Sequence, residues 1–207
     1  MEHFQLWNTP MSKYRSESLG SKFGKVSPRL AFVGLYAMAP VGLLLGFLFF
    51  GNLARLGAFM YLAHFTKRML ECAFVHVYSA PMDLFTVLYL GSCYINIGLV
   101  FAWDLALPGA ASDLMQILGF CLWVCGEVTN GAHHWILRSL RKNPLNASLV
   151  HEQEYVLPTG GLFDRVLFPH YLGEMIAWTG VALAVNRGAV YGVNLFMAIM
   201  QLGRASA

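Results

Sequence analysis

The sequence predicts an all-α integral membrane protein: a bundle of about six transmembrane helices with its N- and C-termini in the cytoplasm. Hydrophobic residues make up 57% of the 207 residues and charged residues only 12%, whereas a soluble domain carries about 25% charged residues. The mean hydropathy is +0.54. The apolar residues also form separate stretches that are long enough to cross a bilayer core of about 30 Å.

The chain divides into a polar segment, residues 1–28, which we expect in the cytoplasm, and a single transmembrane domain over 29–207. The polar segment lacks the apolar core and the small-residue cleavage site of a secretory signal. A helix needs about 20 apolar residues to span the bilayer core. The sequence therefore predicts spans at 30–50, 53–75, 84–107, 114–137, 166–186 and 189–203.

The spans differ in character along the chain. The first follows the polar segment at once, as a signal anchor would, and the third is a long apolar stretch. The second carries charged residues at its cytoplasmic end. The fourth continues into a polar cytoplasmic extension, the fifth opens around Pro169 after the Gly160-Gly161 pair, and the sixth is short.

The distribution of basic residues predicts the orientation. Cytoplasmic segments of membrane proteins carry an excess of lysine and arginine. With a cytoplasmic N-terminus, only Arg55 and Arg187 of the fourteen basic residues fall on the far side. The other twelve are Lys13, Arg15, Lys22, Lys25, Arg29, Lys67, Arg68, Arg138, Arg141, Lys142, Arg165 and Arg204.

A first stripe of polar residues lies at the cytoplasmic end of the second predicted span. His64, Lys67, Arg68 and Glu71 follow one another at helical spacing, so they share a face. Ionisable groups at membrane depth are costly and usually face a partner, a cavity or a substrate. The stripe is consistent with interfacial side chains and a Lys67–Glu71 pair, or with a cationic site for a phosphate or a developing oxyanion.

A second stripe follows one face of the fourth span and its extension, at spacings of three and four residues. Its members are Glu127, Asn130, His134, Arg138 and Arg141. Polar residues that only stabilise helix packing would rarely include a carboxylate, an amide, an imidazole and two guanidinium groups in a row. Two arginines one turn apart suit bidentate contacts to phosphate.

A third group opens the fifth span. His170, Tyr171, Glu174 and Trp178 follow Pro169, and an interfacial aromatic belt is the alternative interpretation. A tyrosine hydroxyl beside cationic groups can serve as a proton donor. All three groups lie toward the predicted cytoplasmic face, so we expect them to converge in one pocket.

Several classes of site and partner have no support in the sequence. No basic run suggests nucleic-acid binding, and no glycine-rich nucleotide loop or nucleophile elbow is present. The four cysteines lack zinc-site spacing, and the histidines are too scattered for a di-iron site. We therefore predict no metal and no nucleic-acid partner.

Four sequence blocks resemble the steroid 5α-reductase and very-long-chain trans-2-enoyl-CoA reductase superfamily. Residues 130–142 (NGAHHWILRSLRK) resemble its NADPH-associated signature, and residues 157–163 (LPTGGLF) resemble a steroid reductase segment. Residues 169–178 (PHYLGEMIAW) resemble the family's N-Y-x-x-E-x-x-x-W helix. Residues 64–76 (HFTKRMLECAFVH) are closer to the enoyl-CoA reductases. The resemblance covers roughly residues 20–200.

This resemblance implies a membrane-bound oxidoreductase that transfers a hydride from NADPH to a C=C bond conjugated with a carbonyl group in a lipid. The residues implied to hold the cofactor are Asn130, His134, Arg138, Arg141 and Glu174. Lys67, Arg68 and Tyr171 would serve the substrate carbonyl and the proton. The resemblance also implies the endoplasmic reticulum, a cytosol-facing site, and association with other membrane enzymes of lipid synthesis.

Two departures bear on the substrate, which the resemblance gives as either a trans-2-enoyl-CoA of fatty acid elongation or a 3-oxo-4-ene steroid. Steroid reductases place a glutamate just before a proline in an early span, where this chain has Met38 before Pro40. Their carbonyl-contacting tyrosine aligns with Phe65. Both departures favour the acyl-CoA branch.

Two alternatives remain from the sequence. Residues 169–173 (PHYLG) also resemble a turn of membrane methyltransferases that use S-adenosylmethionine. The chain also ends at Ala207, where the family usually continues with a basic and aromatic tail, and one N-terminal span is lacking. That suggests a truncated, inactive paralogue or a membrane subunit.

Overall fold

The computed structural model describes residues 24–51, 53–78, 81–109, 111–142 and 158–205. Most of the predicted polar segment and Leu157, which opens the LPTGGLF block, lie outside these residues. The described α-helices are α1 (Pro28–Phe50), α2 (Arg55–Leu70), α3 (Leu84–Ala106), α4 (Asp113–Lys142), α5 (Pro169–Val185) and α6 (Gly188–Ala205). The all-α fold is confirmed for this part of the chain.

Four short elements complete the described fold. The strands β1 (Lys25–Val26) and β2 (Met82–Asp83) form an antiparallel ladder in which Lys25 pairs with Asp83. A π-helical turn, Glu71–Val75, extends α2, and a 3-10 turn, Gly161–Asp164, precedes α5. π-helical turns are rare and frequently mark functional sites.

Each predicted span coincides with one of these helices, but the ends differ. Helix α5 begins at Pro169 rather than at 166, because the residue before a proline is disfavoured in helical geometry and Phe168 has φ −133° and ψ 64°. Helix α4 continues to Lys142 rather than ending at 137. The arginines of the predicted cytoplasmic extension are therefore part of the same continuous helix.

The exterior of the bundle fits a membrane protein. Helices α1 and α3 are each 23 residues long and apolar enough to cross a bilayer. Both expose large apolar side chains, including Leu48 (71% exposed), Phe49 (77%) and Leu88 (65%). A soluble protein rarely exposes such a contiguous apolar surface.

The helices alternate in direction, so the bundle has two distinct ends. The ladder, the π-helical turn and the C-terminal half of α4 meet at one end, which we call the site end. At the opposite end, the backbone N–H of Ala54 donates to the carbonyl of Leu105. There the buried Asp104 also accepts a hydrogen bond from the N–H of Val190 at 2.7 Å and so caps the start of α6.

Glycines allow two helix pairs to approach closely. In the α1–α3 pair, a Cβ placed on Gly98 would lie 2.5 Å from the carbonyl oxygen of Ala39. In the α4–α5 pair, a Cβ on Gly180 would lie 2.5 Å from the carbonyl oxygen of Gly119, and one on Gly173 would lie 2.6 Å from the amide nitrogen of Asn130. Small residues of this kind bring backbones together in membrane bundles.

We expect Gly173→Val to destabilise the protein by about 1–3 kcal/mol, because the added side chain overpacks the α4–α5 contact. Thermal and chemical unfolding of the detergent-solubilised protein would measure the loss. Gly192→Val is the matched control, since a Cβ there would meet no atom within 4 Å. Equal stability of the two variants would contradict the close contact.

Candidate functional site

A cavity of about 610 Å³ lies at the site end of the bundle. Its polar part is lined by side chains from three helices and the segment after the π-helical turn: Arg68, His76, His134, Arg138, Arg141, His170, Tyr171 and Glu174. Its apolar part is lined mainly by α1, α3 and α6, through Phe32, Leu90, Ile97, Phe196 and Met197. The predicted convergence of the three polar groups in one pocket is therefore present for six of the eight predicted site residues.

Arg68 is the buried cation at the centre of the polar part and is only 6% exposed. Its Nη1 donates to Oε2 of Glu71 at 2.6 Å, and its Nη2 donates to the hydroxyl of Tyr36 at 2.9 Å. Nδ1 of His134 lies 3.0 Å from both Oε2 of Glu71 and Nη1 of Arg68. Since the Glu71 carboxylate can only accept, its contact with His134 places the proton on Nδ1, and the N–H of Arg68 then donates to Glu71 rather than to this nitrogen.

His76 follows the π-helical turn and faces His134 with a ring-centroid distance of 4.8 Å. Burial, together with the neighbouring His134 and the positive charge of Arg68, lowers the pKa of His76 to about 3. His76 is therefore neutral near pH 7. Arginines, rather than this histidine, provide the positive charge in this part of the cavity.

Lys67 and Asn130, both predicted site residues, belong to an adjacent network and do not line the cavity. Nζ of Lys67 donates to Oε2 of Glu127 at 2.8 Å and to Oδ1 of Asn130 at 2.6 Å. His64 contacts the other oxygen of Glu127 at 2.5 Å. Nδ2 of Asn130 donates to the carbonyl of His170 at 2.8 Å, so the network reaches the first turn of α5.

Arg138 and Arg141 attach the end of α4 to the segment that follows α2. Nη1 of Arg138 donates to the carbonyl of Phe74, and Nη1 of Arg141 donates to the carbonyl of Val77, each at 2.6 Å. A guanidinium carries five N–H donors. Each arginine therefore retains donors for an anionic ligand at the rim of the cavity.

Helix α5 presents Tyr171 and Glu174 to the cavity. The Tyr171 ring stacks on Phe168 at 5.7 Å and lies 4.3 Å from the His170 ring. Glu174 is only 9% exposed, and no described residue donates a hydrogen bond to it. Trp178, from the same predicted group, instead packs in the core against His64 at 5.1 Å.

The segment before α5 makes the tight turn that its glycines predict. Gly160 and Gly161 have φ values of 92° and 58°, a region that favours glycine. The N–H of Leu162 donates to Nε2 of His133 at 3.0 Å, and Nδ1 of His133 contacts the carbonyl of Thr129 at 2.6 Å. His133 therefore holds this turn against α4.

Sequence reasoning missed the tyrosines of the cavity, chiefly Tyr36 on α1 and Tyr94 on α3. Their only signal was a hydroxyl inside an apolar span, which many core tyrosines share. Met38 and Phe65, the two positions of departure, do not line the cavity. Phe65 is 2% exposed and packs against Tyr61 in the core.

Glu71, His76 and His134 bring potential metal-ligand atoms within 4.8 Å of one another. The guanidinium of Arg68 already donates to the Glu71 oxygen that His134 also contacts. A divalent cation there would meet a fixed positive charge at short range. The donor set therefore suits an arginine-centred network better than a metal.

The chain is similar to known reductases. The family model described as 3-oxo-5-alpha-steroid 4-dehydrogenase matches residues 84–207, which include the predicted site residues of α4 and α5. The chain is 34% identical over 157 residues to 3-oxo-5-alpha-steroid 4-dehydrogenase 1 of Mus musculus, covering 70% of this chain and 57% of that protein.

Two further relatives carry other names. Polyprenal reductase of Xenopus laevis is 30% identical over 58% of this chain and 40% of its own length. Very-long-chain enoyl-CoA reductase of Dictyostelium discoideum is 31% identical over 59% of this chain and 40% of its own length. The chain spans about half the length of the curated relatives that it matches.

Proposed function

Because this chain belongs to the 3-oxo-5-alpha-steroid 4-dehydrogenase family, we propose that it is a membrane-bound reductase. In this proposal it uses NADPH to saturate a carbon–carbon double bond conjugated with a carbonyl group in a lipid. The observation that carries the proposal is the cavity itself, because one space combines arginines, a tyrosine and a carboxylate with an apolar part. Such a combination suits a charged cofactor beside an apolar substrate.

The polar part of the cavity fits NADPH. The remaining donors of Arg138 and Arg141 suit its phosphate groups. The Glu174 carboxylate receives no hydrogen bond from the described residues, so it is available to accept one from an amide or hydroxyl of the cofactor. When bound there, NADPH would supply the hydride. We propose that His134 and Asn130 help hold this part of the site, Asn130 through its bond to the His170 carbonyl.

The apolar part of the cavity suits the body of a lipid. Phe196 of α6 and Tyr89 of α3 line the cavity and are also 53% and 57% exposed. The cavity therefore reaches the outer surface of the bundle between these helices. A long acyl chain or a steroid could extend there, which agrees with the steroid and enoyl-CoA names of the relatives.

The chemistry needs a stabilised oxygen and a proton. Hydride addition to the β-carbon moves electron density onto the carbonyl oxygen, and fixed donors or positive charge nearby lower that barrier. The buried guanidinium of Arg68 supplies the charge, and the Tyr171 hydroxyl delivers the proton to the α-carbon. Lys67 is bonded to Glu127 and Asn130, so we assign it a positioning role.

We propose that the site faces the cytosol in the endoplasmic reticulum, with both termini cytoplasmic. The basic residues of α4 and the end of α2 support this orientation through the positive-inside rule. Association with other membrane enzymes of lipid synthesis is part of the same proposal. The relatives are named as a dehydrogenase and as reductases, so nothing further favours the methyltransferase.

The purified protein in lipid nanodiscs tests the proposal. We expect it to bind NADPH, to gain thermal stability from NADPH rather than S-adenosylmethionine, and to oxidise NADPH with a conjugated lipid. The probes are a 3-oxo-4-ene steroid and trans-2-hexadecenoyl-CoA, with product analysis for the saturated compound. Protein that binds NADPH but reduces neither probe would contradict the substrate class, and stabilisation by S-adenosylmethionine alone would contradict the reductase.

We expect Arg138→Ala and Arg141→Ala each to weaken NADPH binding by about tenfold to a hundredfold. A hydrogen bond to a charged group contributes about 1.5–3 kcal/mol, and about 1.4 kcal/mol is a factor of ten in affinity. Titration of the nanodisc-embedded protein with NADPH would measure the dissociation constants. Arg187→Ala at the opposite end of the bundle is the control, and unchanged affinity in both site variants would rule out this phosphate site.

A further inference from the structure

Tyr36 brings a hydroxyl from α1 into the polar part of the cavity. Nη2 of Arg68 donates to this hydroxyl at 2.9 Å, and the guanidinium carbon lies 4.9 Å from the centre of the Tyr36 ring. Because arginine only donates, the Tyr36 oxygen is the acceptor in this bond. The hydroxyl proton of Tyr36 is therefore directed to another acceptor.

Tyr94 of α3 is the described neighbour of that hydroxyl. The rings of Tyr36 and Tyr94 meet edge to face with a centroid distance of 5.4 Å. Both tyrosines line the cavity. A ligand oxygen in the cavity can therefore accept the proton of the Tyr36 hydroxyl.

Both terminal nitrogens of Arg68 already have hydrogen-bond partners. Nη1 of Arg68 is bonded to Glu71, and Nη2 is bonded to Tyr36. The remaining nitrogen, Nε, is buried, without a hydrogen-bond partner in the described part of the chain. The bond from Nη2 polarises the Tyr36 hydroxyl, so the positive charge of Arg68 also acts on the cavity through Tyr36.

We propose that Tyr36 donates the hydrogen bond to the carbonyl oxygen of the substrate. The inference rests on the proposed function and names the donor for that reaction. The hydride and its electron pair add to the β-carbon, the π electrons of the double bond move toward the carbonyl, and the enolate oxygen is held by the Tyr36 hydroxyl. The α-carbon takes its proton from Tyr171, which is reprotonated from water, so the products are NADP⁺ and the saturated carbonyl compound.

We expect Tyr36→Phe to lower kcat by about a hundredfold, which is the usual effect of removing one donor to a developing oxyanion. The dissociation constant for NADPH should stay within about twofold, because the variant removes only the hydroxyl. Tyr61→Phe is the matched control. Its hydroxyl lies 3.4 Å from the carbonyl of Ala39 in the core, away from the cavity.

A binding measurement keeps the test independent of turnover. The wild-type protein and Tyr36→Phe are titrated with a 3-oxo-4-ene steroid and with its analogue that lacks the 3-oxo group. The same comparison uses trans-2-hexadecenoyl-CoA and the corresponding thioether. We expect the carbonyl to strengthen binding in the wild-type protein, and this advantage to disappear in Tyr36→Phe.

The outcomes separate the two proposals. If the wild-type protein reduces a probe and Tyr36→Phe reduces it equally well, the role of Tyr36 is overturned while the reductase stands. Retention of the carbonyl advantage in Tyr36→Phe would overturn that role in the same way. If the wild-type protein reduces neither probe, the proposed function fails, and this inference fails with it.

Discussion

Tyr171→Phe is expected to lower the rate of lipid reduction by about 10²–10⁴-fold, which is the usual contribution of a positioned general acid. The substitution removes only the hydroxyl, so the ring can keep its stack on Phe168 and its contact with His170. The fold and NADPH binding should therefore persist. The loss should appear in kcat, because in the proposed reaction proton delivery to the α-carbon is a step of the chemistry and not of binding.

Single-turnover and steady-state measurements with NADPH and the two lipid probes would quantify this loss. Tyr191→Phe is the control, since Tyr191 lies on α6 at the opposite end and its hydroxyl bonds to Asn186 at 3.2 Å. If Tyr171→Phe kept more than about a tenth of the wild-type kcat, the hydroxyl would fall short of the contribution expected of a general acid.

Arg68→Met is expected to destabilise the fold by about 3–5 kcal/mol, because it leaves the buried Glu71 carboxylate without its principal cation. The Arg68–Glu71 pair has an N–O distance of 2.6 Å, and both side chains are 8% exposed. Lys67 approaches the other oxygen of Glu71 at 3.3 Å and is 26% exposed, so it compensates only in part. Methionine keeps the apolar part of the arginine side chain, so the loss reports the removal of the guanidinium with its charge and hydrogen bonds.

The double variant Arg68→Met with Glu71→Gln is expected to recover much of that loss, since neither partner is then an uncompensated charge. Chemical unfolding of the four proteins of this cycle would give the coupling free energy. Arg55→Met, at an exposed position of the opposite end, should change the free energy of unfolding by less than about 0.5 kcal/mol. A double variant as unstable as the two single losses added together would show that the pair is uncoupled.

Helical spacing predicted which polar residues share a face of the helix. It did not predict which of them line the cavity and which lie outside it. The second stripe runs from Glu127 to Arg141 along α4. In the structure, its first two members, Glu127 and Asn130, meet Lys67 outside the cavity. The later members reach the cavity, because a helix that crosses its neighbours presents successive turns of one stripe to different partners.

The sequence by itself determined the all-α character of the chain, the positions of the helices and the family. Long apolar stretches, helical periodicity and local motifs along the chain carry this information. Only the tertiary structure decided that Tyr36 and Tyr94 line the cavity and that Lys67 lies beside it. Whether a hydroxyl in an apolar helix faces a cavity depends on how closely that helix approaches its neighbours, and here the approach of α1 to α3 is set by the small residues at their contact.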